Sequence, residues 1–403
     1  MTEFTAATIC FAGTHDPRFT RTSILEEGLQ RRGYALQHCV VPAWGSTADR
    51  VGTARRGLRN PSLLWRLGWA YQRVLRQLHA LRPRPDALLL AHPGQLDAIV
   101  FRALAPRIPI VLDAFIALDE TLADRGLASP ASPSRRLARL LDRIALRTAN
   151  LVVVDTAAHA RRFAADYGLD LSKTVVVPVG SFDVGDGDWG LGVGERAQHS
   201  ISLSPTHQLP TPRALRVLYF GGFIPLHGVP VVLEAARRIE PDEGIHIDLV
   251  GEGQQAQDAA DFLTHVPLPH VKLHRGWMTE AELVERHVSC ADVCLGVFAA
   301  TLKAMDVVPA KIYLALACGR GVLTADTPAV REELLARAPG DDPVALCRPG
   351  DPDALAAALR GLRDDPDRLR RTAAAGRRLY ETHFRPEQVV APLAEAIDRL
   401  AAR

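Results

Sequence analysis

Short apolar blocks alternate with helix-length segments along most of the chain, which is how a parallel sheet reads when helices cover both of its faces. In the first half the pattern predicts strands at Ala7–Gly13, Ala35–Val41, Ala87–Leu90, Ile110–Asp113, Leu151–Val154 and Thr174–Val177. Helices at about Thr22–Arg32, Ser62–Leu81, Gly94–Leu104, Ser134–Ala149 and Ala157–Tyr167 fit between them. A second series begins at Leu215–Phe220 and continues through Ile245–Val250, Val271–His274, Val293–Val297 and Gly321–Thr324. Between the two series, Gly180 to Pro212 holds Gly-Asp repeats, Ser, Thr, His and three prolines, the composition of a mobile loop near a domain junction. No short-period repeat is present, so the expectation is two wound α/β sheets in tandem. An amphipathic helix over Pro386–Ala402 follows the break at His383-Phe384-Arg385-Pro386.

Length supports two domains, because 403 residues exceed the size at which one hydrophobic core keeps growing. With 47% hydrophobic and 23% charged residues the composition is that of an ordinary soluble protein. The longest apolar runs, such as Ala87–Ala91 and Leu151–Val154, are strand-sized and far short of the roughly 20 residues of a spanning helix. The N-terminus lacks a basic start, an apolar run and a cleavage site, which points to a cytoplasmic protein. Six cysteines at 10, 39, 290, 294, 318 and 347 lie mostly inside apolar runs and read as buried, reduced side chains. Cys290 and Cys294 have no companion His/Cys cluster, so no metal site is expected.

Charge is nearly balanced at +2, yet Arg50 to Arg84 carries nine arginines and no acid. Within it Leu63, Leu67, Val74 and Leu78 recur at helical spacing, with Arg66, Arg73 and Arg76 on other sides and Trp65 and Trp69 nearby. Two readings stand: a domain-surface helix with a solvated basic face, or a helix that contacts anionic lipid. No nucleic-acid motif accompanies the charge, so no nucleic-acid partner is expected.

Candidate chemistry clusters in the second half. Asp306 to Asp326 reads as a polar loop, a helix of small and aliphatic residues, a stop at Gly319 and a buried strand, with Pro309 near the helix start. Such a helix start suits an anionic ligand, and Lys311 lies there. Tyr219-Phe-Gly-Gly-Phe-Ile-Pro-Leu-His-Gly is a strand followed by a Gly-containing loop, which aims backbone N–H groups past the strand end. Gly221, Gly222, His227 and Lys311 are therefore candidate phosphate contacts, with Arg275 after the next-but-one strand a further cation. Gly251-Glu252-Gly253 reads as a tight turn, and Gly276-Trp277-Met278 as a loop where Trp277 contacts a ligand or plugs the sheet end.

In the first half Gly13-Thr14-His15-Asp16-Pro17-Arg18 follows the first strand without a Gly-x-Gly-x-x-Gly fingerprint, which argues against a dinucleotide oxidoreductase. Gly13, His15, Asp16 and Arg18 are candidate acceptor contacts. His92 and Asp113 also sit at predicted strand ends, as ligand groups or as hydrogen-bonded structural residues.

The order of loop, Gly-acid-Gly, Gly-Trp, acid and Ala-x-Ala-Cys-Gly resembles family 4 retaining glycosyltransferases of the GT-B fold. In that family an acid, seven residues and a Glu precede Ala-x-Ala-Cys-Gly; here the two positions are Asp306 and Leu314. Gly222 and His227 stand where the family carries an Arg and a Lys in its first loop. The resemblance implies an α/β, GT-B architecture of two Rossmann-like domains facing each other across a cleft. It assigns an acceptor-side domain to 1–212, a donor domain to 213–385 and a helix at 386–403 crossing back to the first. It implies retaining transfer from a nucleotide sugar to a hydroxyl of a glycan, lipid-linked or small-molecule acceptor, with no cofactor and no metal. Asp306, His92 and Asp113 then become the catalytic candidates, and Gly251, Gly276 and Trp277 the loops around the nucleotide base. The absent Arg, Lys and Glu leave open a catalytically impaired binding or regulatory protein, and a nucleotide-sugar epimerase is a third reading.

Overall fold

The computed structural model describes residues 7–43, 61–124, 128–129, 131–183 and 214–402. Most of the predicted loop over Gly180 to Pro212, and the arginines from Arg50 to Arg59, lie outside the described residues. The chain divides into two compact units, Met1–Pro178 with Pro386–Arg403, and Val179–Arg385.

The first unit is built on a parallel sheet of six strands: β1 (Thr8–Gly13), β2 (Ala35–Val40), β3 (Ala87–Leu90), β4 (Ile110–Asp113), β5 (Leu151–Val154) and β6 (Thr174–Val176), in the order β2-β1-β3-β4-β5-β6. Residues Ala87–Leu90, Ile110–Asp113 and Leu151–Val154 are buried throughout, because helices cover both faces of these central strands. The helix Pro61–Ala80 lays Leu63, Leu67, Ala70, Val74 and Leu78 into this core. The helix Leu118–Asp124 was not expected from the pattern. It forms because the buried Asp142 carboxylate accepts the N–H groups of Leu118 and Asp119, a cap supplied from another helix.

Pro392 divides the predicted terminal helix into Pro386–Val389 and Ala391–Ala401, since proline cannot donate in the helix interior. These two pieces complete the first unit. A Cβ on Gly28 would lie 2.3 Å from the Pro386 carbonyl oxygen, so only glycine admits that approach. The Tyr34 hydroxyl contacts Asp398 Oδ1 at 2.7 Å and the Ala394 carbonyl at 3.1 Å.

The second unit repeats the architecture with β7 (Leu215–Phe220), β8 (Ile245–Gly251), β9 (Val271–Arg275), β10 (Val293–Leu295), β11 (Gly321–Ala325) and β12 (Ala345–Cys347), in the order β12-β11-β10-β7-β8-β9. All its ladders are parallel. β10 stops two residues before its predicted end because Thr324 Oγ1 takes the N–H of Val297. β12 was missed; three residues are too few for a periodic signal. Among the described residues no helix is long and apolar enough to cross a membrane.

At the carboxyl end of β4 the first unit buries an ion pair. Arg21 Nε lies 2.9 Å from Asp113 Oδ1, both side chains 1% exposed, while Arg21 Nη1 donates to the Val177 carbonyl at 3.1 Å and the guanidinium sits over Phe115. Burial raises the Asp113 pKa and Arg21 opposes it. Arg21→Met removes the counter-charge and is expected to cost about 3–5 kcal/mol at neutral pH. The Asp113 pKa then rises further, so the loss grows as pH rises and shrinks once the carboxyl is protonated. Urea unfolding at two pH values measures this, and Arg21→Met with Asp113→Leu should recover most of the stability.

Candidate functional site

In the second unit the loops after β7, β8 and β9 meet backbone to backbone. A Cβ on Gly251 would lie 2.0 Å from the Gly221 carbonyl oxygen, and one on Gly253 would lie 2.8 Å from Phe223 N. Both glycines have positive φ, at 147° and 151°, so close approach and backbone conformation each require them. Gly276 N donates to the Gly251 carbonyl at 3.3 Å, and Gly221 N donates to the Val250 carbonyl at 3.0 Å. Gly221, Gly251 and Gly276 thus form one continuous surface at the carboxyl edge of the sheet.

Lys311 stands beside it. The helix Ala310–Ala317 begins after Pro309, which provides no side-chain cap; the Pro309 carbonyl accepts the N–H of Ile312 at 3.0 Å, and the N–H groups of Ala310 and Lys311 precede that first bond. Lys311 is 6% exposed, its Nζ has no hydrogen-bond partner among the described residues, and that nitrogen lies 3.8 Å from the centre of the Tyr219 ring. A Cβ on Gly221 would be 3.7 Å from Lys311 Cε. A cation over an aromatic face gains about 2 kcal/mol when desolvated, whereas burying an ammonium costs several. Burial wins, and the Lys311 pKa falls well below the usual lysine value. An anion at this place would reverse that shift.

His227 has a different part from the one expected. Its Nδ1 lies 2.7 Å from the Gly222 carbonyl, an oxygen that can only accept, so Nδ1 carries the proton. Burial, with Lys311 adding repulsion, lowers its pKa to about 3, and the ring is neutral. It shapes the loop, with the Tyr219 hydroxyl on the same carbonyl at 2.9 Å, and supplies no charge to a phosphate. Gly222 serves through that carbonyl. Arg275 is also spent: Nη2 and Nε contact Glu252 at 2.8 and 3.2 Å, and Nη1 contacts Gln257 at 2.9 Å. Trp277 does not plug the sheet end, being 72% exposed.

Asp306 ends a short helix, Leu302–Asp306, where a loop was expected; Thr301 starts that helix by accepting the N–H of Ala304. This helix packs against the turn Pro225–His227. The N-cap of the helix that follows is Pro309. Leu314 is buried. Tyr219, the platform under Lys311, was missed because its apolar surroundings look like core.

In the first unit the expected contacts are mostly occupied within the chain. Asp113 is held by Arg21 and is unavailable as a catalytic base. His15 is 1% exposed, with its pKa lowered by burial to about 4, so its side chain is no surface contact. Asp16 and Arg18 pair with each other at 3.2 Å. His92 is half-buried beside the rings of Phe19 and Phe115. Gly13, with φ 121°, leaves room for Asp97, whose Oδ2 would lie 2.1 Å from an added Cβ. Asp97 accepts from Thr14 N at 2.8 Å, Thr14 Oγ1 at 2.9 Å and the Tyr71 hydroxyl at 2.9 Å, while burial raises its pKa to about 6. Only its place in a helix's first turn marked Asp97 in the sequence; the strand order brings it to Gly13.

Residues 20–180 match the glycosyl transferase 4-like domain, and residues 214–365 match the glycosyl transferases group 1 domain. No curated protein matches the chain. Among solved structures, Anabaena HepE in complex with UDP and glucose is similar at a TM-score of 0.68 and 17% identity, over 98% of this chain and 100% of that one. Sucrose-phosphate synthase from Thermosynechococcus elongatus is similar at a TM-score of 0.66 and 16% identity, over 98% of this chain and 99% of that one. The Rickettsia africae glycosyltransferase gives a TM-score of 0.62 at 10% identity, over 98% and 99% of the two chains. At these identities the likeness shows the fold, two Rossmann-like domains. Taken with the two domain matches, which together span most of the sequence, it places the chain among the GT4-like glycosyltransferases of the GT-B fold, and it belongs to that family.

Proposed function

We propose that this glycosyltransferase moves a sugar from a nucleoside diphosphate sugar to an acceptor hydroxyl, with retention of configuration and without a metal cofactor. One observation carries the reading: a buried lysine amine with no hydrogen-bond partner among the described residues stands at a helix N-terminus against a glycine-lined loop. A departing diphosphate gathers negative charge in the transition state, and a preorganised cation and N–H groups stabilise it there. Lys311 supplies the charge for which the family's first-loop Arg and Lys are absent. HepE has been solved with UDP-glucose, which supports a nucleotide sugar as donor class. Asp306 contacts the hydroxyls of the transferred sugar and stabilises positive charge at its anomeric carbon. The leaving phosphate takes the acceptor proton on the same face, so no protein base is needed. Leu314 cannot accept from a ribose hydroxyl, and other groups hold the ribose.

The acceptor side points to a membrane surface. Trp65 and Trp69 are 72% and 44% exposed on the helix Pro61–Ala80, one turn apart, and Arg73 stacks on Trp69 at 4.8 Å. Aromatic and basic side chains on one solvent face suit the headgroup region of an anionic bilayer. This supports a cytoplasmic protein that works peripherally at the inner membrane surface on a lipid-linked or glycan acceptor.

Asp306→Ala should abolish donor turnover in a folded protein, as read by nucleoside diphosphate release together with circular dichroism. Wild-type turnover would refute the assignment, and absence of turnover in the wild type with any donor would favour the non-catalytic reading. Lys311→Ala should weaken nucleoside diphosphate binding by about 1–3 kcal/mol. Because binding raises the depressed Lys311 pKa, it should take up protons. Affinity is then full at pH values below the free-state pKa and falls as pH rises through the bound-state pKa. Calorimetry in two buffers of different ionisation enthalpy should detect this uptake in the wild type and not in Lys311→Ala. Trp65→Ala with Trp69→Ala should reduce sedimentation with vesicles containing phosphatidylglycerol; unchanged sedimentation would remove the membrane reading.

A further inference from the structure

Away from the Lys311 site, the second unit gathers two histidines and a carboxylate from three elements. Asp248 comes from β8, His274 from β9 and His287 from the end of the helix Glu280–Arg286. One ligand atom of each lies within 4.8 Å of the others. Asp248 Oδ1 and His274 Nε2 are 3.1 Å apart, and the two imidazole rings meet edge to face with centroids 5.0 Å apart. A tetrahedral zinc ion with bonds of roughly 2.05 Å places its ligands about 3.3 Å apart. The Asp248–His274 edge already has that length, and His287 needs only a small side-chain movement.

We propose that Asp248, His274 and His287 bind one divalent first-row transition ion, of which Zn²⁺ is the representative, as a surface clip on the second unit. The donor set of two imidazoles and one carboxylate suits Zn²⁺ and its neighbours rather than Mg²⁺ or Ca²⁺, which prefer all-oxygen shells. The side chains of Asp248 and His274 are 45% and 37% exposed, so water completes the coordination. Lys272, the ladder partner of Asp248, is exposed and is the one cation on β9 that opposes the ion before Arg275.

The place of the clip gives it a role. β9 is the edge strand of its sheet, and His274 immediately precedes Arg275 and the Gly276-Trp277 loop. Tying β9 to β8 and to the helix end fixes the strand from which that loop leaves. The ion takes no part in sugar transfer.

Titration of the untagged, reduced chain with Zn²⁺ by calorimetry tests this. One ion per chain is expected, with affinity at least tenfold weaker in His274→Gln and in His287→Gln, and unchanged in Cys290→Ser, which removes the exposed thiol. Zn²⁺ should raise the thermal unfolding midpoint of the wild type and leave that of His287→Gln unmoved. Both Gln variants replace half-buried side chains, and circular dichroism without metal reports whether they fold. Equal binding in both Gln variants, loss of binding in Cys290→Ser, or a wild-type midpoint indifferent to Zn²⁺ overturns the site.

Discussion

Parallel strands covered on both faces leave little room for an ionisable side chain, and the strands Ala87–Leu90, Leu151–Val154 and Gly321–Ala325 carry none. Charge is displaced to the carboxyl ends, where the chain leaves the sheet and a partner is within reach. Two buried cations show the two outcomes. Arg21 meets Asp113 and a backbone carbonyl, so its charge is compensated within the fold. Lys311 Nζ meets the face of Tyr219 and has no hydrogen-bond partner among the described residues. A charge paired inside the fold rigidifies its surroundings; in the proposed reading the amine without such a pair is poised for an anion.

Around Lys311 the surface is made of backbone. Glycine at 251 lets two strand ends approach to a distance that a single Cβ would forbid, and Lys311, from the first turn of the helix Ala310–Ala317, stands beside Gly221. Backbone donors cost no side-chain entropy to hold in place. Such donors suit the phosphate contact proposed for this surface, where His227 turns inward to hold the Gly222 carbonyl and shapes the loop.

The strands were readable because a buried strand needs a continuous apolar run, and Ala87–Leu90 or Leu151–Val154 can be little else. The order of glycine-bearing loops was readable for a related reason, since positive φ restricts the residue type. Pairing was not. That Asp113 belongs to Arg21, Glu252 to Arg275 and Asp97 to Thr14 depends on which strands lie side by side, information that no local window contains. Asp113 and Arg275 therefore looked available in the sequence until the sheet order assigned their partners. Short elements escaped for another reason: β12 and the helix Leu302–Asp306 are fixed by tertiary contacts and caps, with too few residues to show a period.

The first unit is assembled from two segments separated by the whole of the second. The residues that close it, from Pro386 onward, reach Gly28, Tyr34, β3 and β6 across more than three hundred and fifty positions of chain in the most distant case, Tyr34 with Asp398. Contacts of such long range form late, because the loop between them must be closed first. On the ribosome the second unit therefore has all its strands available before the first unit has its last helices. The N-terminal sheet must wait, with one flank uncovered, until synthesis passes Pro386, and its exposure to aggregation is set by the speed of translation through the other unit.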